Sequence, residues 1–92
     1  MNSKNKKHQA SLLIMGERAY FKFEQAIIRI GRSSDNDLII ENAFVSRHHA
    51  EIRYRKMCYE VIDLGSTSGT YVNGEKIERH FLSKGDVITL AN

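Results

Sequence analysis

No window of ten or more residues in this chain repeats apolar side chains at helical spacing. Short β-branched and aromatic runs separated by turn residues stand there instead. Strands are predicted near Leu12–Met15, Tyr20–Glu24, Ile27–Gly31, Asp37–Ile40, His49–Arg55, Cys58–Leu64, Thr70–Val72, Glu75–Ile77 and Val87–Leu90. Ala50, Ile52 and Tyr54 alternate with Glu51, Arg53 and Arg55, so the first set is expected to face a core and the second water. Phe21 and Phe23 alternate in the same way with Tyr20, Lys22 and Glu24. Asn73-Gly74 falls between two of the runs, and both residues tolerate the positive φ of a two-residue hairpin turn. Many short strands at close spacing predict an all-β fold, an antiparallel sandwich or small barrel. The polar segments Gly31–Asp37, Glu41–His48 and Gly65–Gly69 then become loops at the ends of the sheets, where a rigid scaffold presents binding groups.

A length of 92 residues allows one domain. The longest unbroken apolar stretch, Leu12–Met15, is too short for a membrane helix or for the apolar part of a signal peptide. The single cysteine, Cys58, has no partner for an internal disulfide and is expected to be a buried small hydrophobe of its strand. A cytoplasmic setting follows, or a nuclear one in a eukaryote. The net charge of +3 raises the question of nucleic acid. Lys4, Lys6 and Lys7 account for it, because the other 11 of the 14 basic residues are balanced by 11 acidic ones. Residues 1–9 are therefore expected to form a flexible basic tail, and a neutral body does not suit a nucleic-acid binder.

Arg32, then Ser46-Arg47, then Ser66-Thr67-Ser68-Gly69 lie one group to each predicted loop. Guanidinium forks, short hydroxyls and glycine-relieved backbone are the parts from which a phosphate site is built. A phosphothreonine carries about −1.5 to −2 charge and three strong acceptor oxygens.

The order of the motifs adds to this. Gly31-Arg32, Ser46-Arg47-His48-His49, and Asp63-Leu64-Gly65-Ser66-Thr67-Ser68-Gly69-Thr70 running on to Asn73-Gly74 follow one another, and Gly85-Asp86-Val87-Ile88 closes the series. This series resembles the forkhead-associated (FHA) family, whose pattern is Gly-Arg, Ser-Arg-x-His and Asp-x-x-Ser-x-Asn-Gly-Thr-x-x-Asn-Gly. The resemblance runs from about Ala10 to the C-terminus. It implies an antiparallel β-sandwich of about ten to eleven short strands, SMAD/FHA-like, with its binding loops at one end. The implied function is a non-catalytic module, part of a signalling or scaffold protein, that binds phosphothreonine-containing segments of partner proteins without a cofactor. On this resemblance Arg32 grips the phosphate, Ser46 hydrogen-bonds it, Arg47 adds a second cation and Thr67 gives a hydroxyl or N–H. His49 braces neighbouring loops, and Gly31, Gly69, Asn73 and Gly74 set the backbone.

Two departures from the pattern are visible. Ser68 stands where relatives most often carry the asparagine that holds the bound peptide's backbone, so a weaker grip outside the phosphate is expected. The family also continues for one more strand beyond the Gly-Asp-Val-Ile motif. Residues 10–92 are thus read as an FHA domain that either is cut from a longer protein or lacks its last strand, a monomer with a strand-swapped or edge-paired dimer as the alternative. The competing function is a phosphate-independent interaction or assembly domain of the same fold.

Other chemistries fit less well. Ser46 and His49 have no third group to complete a nucleophilic triad. His48 and His49 are adjacent on a predicted strand and point to opposite faces, which suits no metal. Asp35-Asn36-Asp37 lacks the glycine and the glutamate of a calcium loop and reads as a turn. No Gly-Lys-Ser/Thr follows the glycines of Gly65–Gly69, so they form no nucleotide loop.

Overall fold

Antiparallel pairing builds most of the molecule. A computed structural model describes residues 10–14 and 19–90, and these contain ten strands and no helix. In chain order the strands are β1 Ala10–Ile14, β2 Ala19–Phe23, β3 Ile27–Gly31, β4 Leu38–Ile39, β5 Ala50–Arg55, β6 Cys58–Asp63, β7 Thr70–Val72, β8 Glu75–Ile77, β9 Arg79–Phe81 and β10 Ile88–Leu90. A five-stranded sheet has the order β4-β3-β5-β6-β9, a three-stranded sheet the order β10-β7-β8, and β1 pairs with β2. Tail residues 1–9, and Met15 of the first predicted strand, lie outside the described residues.

The core lies between the two larger sheets. Ile28 and Ile30 of β3, Ala50 and Ile52 of β5, and Val61 of β6 pack with Val72 of β7. Ile77, Ile88 and Leu90 close over them from the smaller sheet. This is the period-two burial that the sequence implied, and the all-β sandwich stands.

Four details differ from expectation. β3 and β4 pair in parallel, through Ile30 with Leu38 and Gly31 with Ile39. The intervening loop is pinned by Asp37, whose N–H donates to the Arg29 carbonyl and whose carboxylate accepts the Arg29 N–H. β9 was not foreseen, since Arg-His-Phe has no β-branched residue. Pairing with β6 and the Arg79–Glu60 ion pair define it. Glu51 does not face water: it is 7% exposed, because the guanidinium of Arg53 on the same face closes over its carboxylate. Cys58 is exposed rather than buried. It opens β6 opposite Arg55, and the register turns Tyr59 inward and Cys58 out.

Candidate functional site

Three loops meet at the end of the sandwich where β3 finishes and β5 and β7 begin. The first spans residues 32–37, the second 40–49 and the third 64–69. The first two loops pack backbone against backbone. Arg32 N–H donates to the Ser46 carbonyl at 3.0 Å, and Ser33 N–H to the Arg47 carbonyl at 3.2 Å. Gly31 makes this approach possible, since a Cβ there would stand 2.1 Å from the Arg47 carbonyl oxygen. Asn36, 8% exposed, clasps both loops: its Nδ2 donates to the carbonyls of Ser33 and Arg47 at 2.8 and 2.7 Å.

His49 joins the second loop to the third. Its side chain is fully buried, its Nδ1 accepts the Ser46 N–H at 3.0 Å, and its Nε2 lies 2.8 Å from the Gly69 carbonyl. An N–H can only donate and a carbonyl can only accept, so the ring is the neutral tautomer protonated at Nε2. Adjacent backbone repeats the link, with Leu64 N–H donating to the His49 carbonyl at 2.9 Å.

Asp63 shapes the third loop from within. Its carboxylate accepts the N–H groups of Gly65 and Ser66 and the hydroxyls of Ser66 and Thr70. Ser66 Oγ in turn accepts the Gly69 N–H. Burial pushes the Asp63 carboxyl up, but the bonds from Ser66, Thr70 and Gly65 outweigh it and hold the group below the usual carboxylate value.

This scaffold brings Arg32, Ser46 and Thr67 together. Arg32 Nε donates to the Val45 carbonyl at 2.9 Å, which anchors the guanidinium by one N–H; its terminal nitrogens make no hydrogen bond among the described residues. Ser46 Oγ accepts the Thr67 N–H at 3.1 Å. Ser68 Oγ donates to the Phe44 carbonyl at 2.8 Å, a second tie between these loops. Arg32, Arg47 and Thr67 are exposed. Among the described residues neither arginine has an ion-pair partner, whereas His48 is matched with Asp35 at 3.0 Å. Bonds from Ser33, then from His48, hold the Asp35 carboxyl below its usual value, so this acid of the first loop is already engaged. Arginines without an ion-pair partner and the short hydroxyls of Ser46 and Thr67 therefore meet at one end of the sandwich, an arrangement that suits a multiply charged oxyanion.

Asn73 and Gly74 lie elsewhere. They form the β7–β8 turn with φ of 52° and 88°, at the end of β7 away from the third loop. Asn73 braces the segment before β10, donating to Asp86 Oδ1 and accepting the Val87 N–H, both at 2.9 Å. Sequence reasoning did not single out Asn36 or Asp63 as organisers of the loops. The signal for Asp63 was present in its spacing from Ser66, since a carboxylate two or three residues ahead of free N–H groups forms an Asx turn. Asn36 acts on residue 47, a contact that no local spacing reveals.

The FHA-domain family model matches residues 28–91, which include all three loops. The chain belongs to the FHA-domain family. The glycogen accumulation regulator GarA of Mycobacterium tuberculosis is 40% identical to it over 70 residues, 76% of this chain and 43% of that protein. This FHA chain thus spans under half the length of that curated relative. Mycobacterium tuberculosis EmbR, in complex with a low-affinity phosphopeptide, superposes with a TM-score of 0.89 at 33% identity, over 100% of this chain and 24% of that one. The FhaA FHA domain, complexed with the intracellular domain of Rv3910, gives 0.82 at 32% identity, over 91% and 92%.

Proposed function

We propose that this FHA domain is a non-catalytic module that captures phosphothreonine-containing segments of partner proteins. Arg32 takes the phosphate with its terminal guanidinium nitrogens, Ser46 and Thr67 bond it from the adjoining loops, and Arg47 adds charge from the rim. Ser68 faces the peptide beside the phosphate. Gly31, Asn36, His49, Asp63 and Gly69 hold the loops in place. The observation that carries this reading is the meeting of exposed Arg32 and Thr67 with half-buried Ser46, with Asp35 of the first loop tied to His48. Relatives named as complexes with a phosphopeptide and with an intracellular protein domain support it. The module works as a monomer inside a cytoplasmic signalling or scaffold protein, or a nuclear one in a eukaryote.

Calorimetric titration with a phosphothreonine peptide, its unphosphorylated form and its phosphoserine form tests the reading. Only the phosphothreonine form is expected to bind well. Arg32→Ala is expected to weaken it by about 1.5–3 kcal/mol, the value of a hydrogen bond to a charged group. The second phosphate ionisation lies near pH 6, so affinity is expected to fall as the pH drops below about 6. Undiminished capture by a folded Arg32→Ala protein refutes the assignment.

A further inference from the structure

The outer face of the five-stranded sheet, away from the phosphate loops, carries a groove of about 470 Å³ above β5, β6 and β9. Arg53, Arg55, Lys56, Glu60, Arg79 and Phe81 are among the residues that line it. Phe81 is 65% exposed, and Met57 at the tip of the same β5–β6 hairpin is 85% exposed. Apolar surface therefore stands among cations. Arg53 is paired with Glu51 and Arg79 with Glu60. Among the described residues Arg55 and Lys56 have no ion-pair partner, so the face keeps an excess of positive charge. Beyond residue 7 the chain as a whole is balanced, and this excess is a segregation of charge.

Among the described residues the groove borders an open sheet edge. β9 is the outermost strand of its sheet. Asp63 N–H donates to the Glu78 carbonyl and Leu82 N–H to the Tyr59 carbonyl, both at 2.8 Å, and Val61 pairs with His80 between them. Antiparallel alternation then directs the backbone N–H and C=O groups of Arg79 and Phe81 away from β6. An exposed edge of this kind accepts an added strand. Residues facing each other across such a pair share one side of the sheet, so an added strand sets alternate side chains beside Arg79 and Phe81 at the groove mouth.

We infer that this edge and groove form a second docking surface, whose occupant is an extended partner segment alternating carboxylates with apolar side chains. The carboxylates share the groove side, where they meet the field of Arg55, Lys56 and Arg79 and lay their methylene stems over Phe81, and the apolar groups turn to the other side of the sheet. A second copy of this chain fits poorly, because it sets the same cations against each other. Nucleic acid fits poorly as well, because Glu60 lies in the middle of the face and Phe81 offers little stacking surface. The inference is independent of the phosphate site, since neither the surface nor the probe involves phosphate.

The test uses the whole 92-residue chain. A short synthetic peptide alternating glutamate and valine is titrated by fluorescence anisotropy and by amide chemical shifts, with a glutamine–valine peptide and single-stranded oligothymidylate as comparisons. The glutamate peptide is expected to bind and to shift the amides of Arg79 and Phe81. The glutamine peptide, and the glutamate peptide with the Arg55→Glu/Lys56→Glu double variant, are expected to bind at least about tenfold more weakly. An amide spectrum of the double variant with the wild-type pattern away from the hairpin establishes that it is folded. Affinity unchanged by the charge reversal, shifts that spare β9, or tighter binding of oligothymidylate than of the peptide would each overturn the inference.

Discussion

Serine at position 68 shows how one side chain sets the reach of a loop. Its hydroxyl proton is spent on the Phe44 carbonyl, which leaves only acceptor capacity for a bound peptide. Asparagine at this position offers a donor and an acceptor together. Ser68→Asn is therefore expected to tighten phosphopeptide binding, by about 0.5–1.5 kcal/mol for one added hydrogen bond, read by calorimetry. Asp63 acts on stability rather than on ligand. Its carboxyl is held below the ordinary value of 3.8 in the folded protein. The stabilisation it brings is thus complete above about pH 4 and is lost as pH falls through the lower folded value. Asp63→Asn sets an amide donor against the N–H groups of Gly65 and Ser66, and is expected to cost about 1–3 kcal/mol near neutrality. In urea unfolding across acid pH, the gap between wild type and this variant is expected to close below about pH 4. A gap that widens on acidification contradicts the assignment.

The β5–β6 hairpin shows what can be read from strands and what cannot. Alternation in Ala50–Arg55 and the β-branched and aromatic run Cys58–Leu64 placed both strands and left two residues for the turn. Those residues, Lys56 and Met57, have φ of 50° and 66°, the left-handed region that asparagine and glycine usually supply. Pairing of the two strands imposes the turn against local preference, and the sequence carries no mark of that strain. Met57→Gly is expected to stabilise the domain by about 1 kcal/mol. For a domain of this size that is a rise of about 4–8 °C in Tm by calorimetry. β9 was illegible for a related reason, since its identity rests on Glu60, Val61 and Ile62 of another strand. The Asn73-Gly74 turn was legible because both residues carry the required conformation themselves. The same division runs through the site. Arg32, Ser46 and Thr67 were visible in linear motifs, and the structure brings them together. Asn36 was not visible, because its role is a bond to a carbonyl eleven residues away. Cys58 was misplaced because composition gives no face: only register against Arg55 turns it outward.

At the scale of the molecule, charge distribution governs association. The β9 edge is flanked by Arg55, Lys56 and Arg79, so two copies meeting edge to edge bring like charges together. Sedimentation at moderate ionic strength is expected to give a single monomeric species, and a dimer whose population rises with added salt would show this repulsion to be the barrier. The buried imidazole of His49 has a different reach. Held at both ring nitrogens, it makes two turns of chain into one part. A receptor finished before its guest arrives spends little entropy on arrangement at the moment of capture, so the ordering cost falls on the incoming peptide. Tuning such a host proceeds by exchanging rim side chains, while the hidden ring that fixes their spacing stays out of the guest's sight.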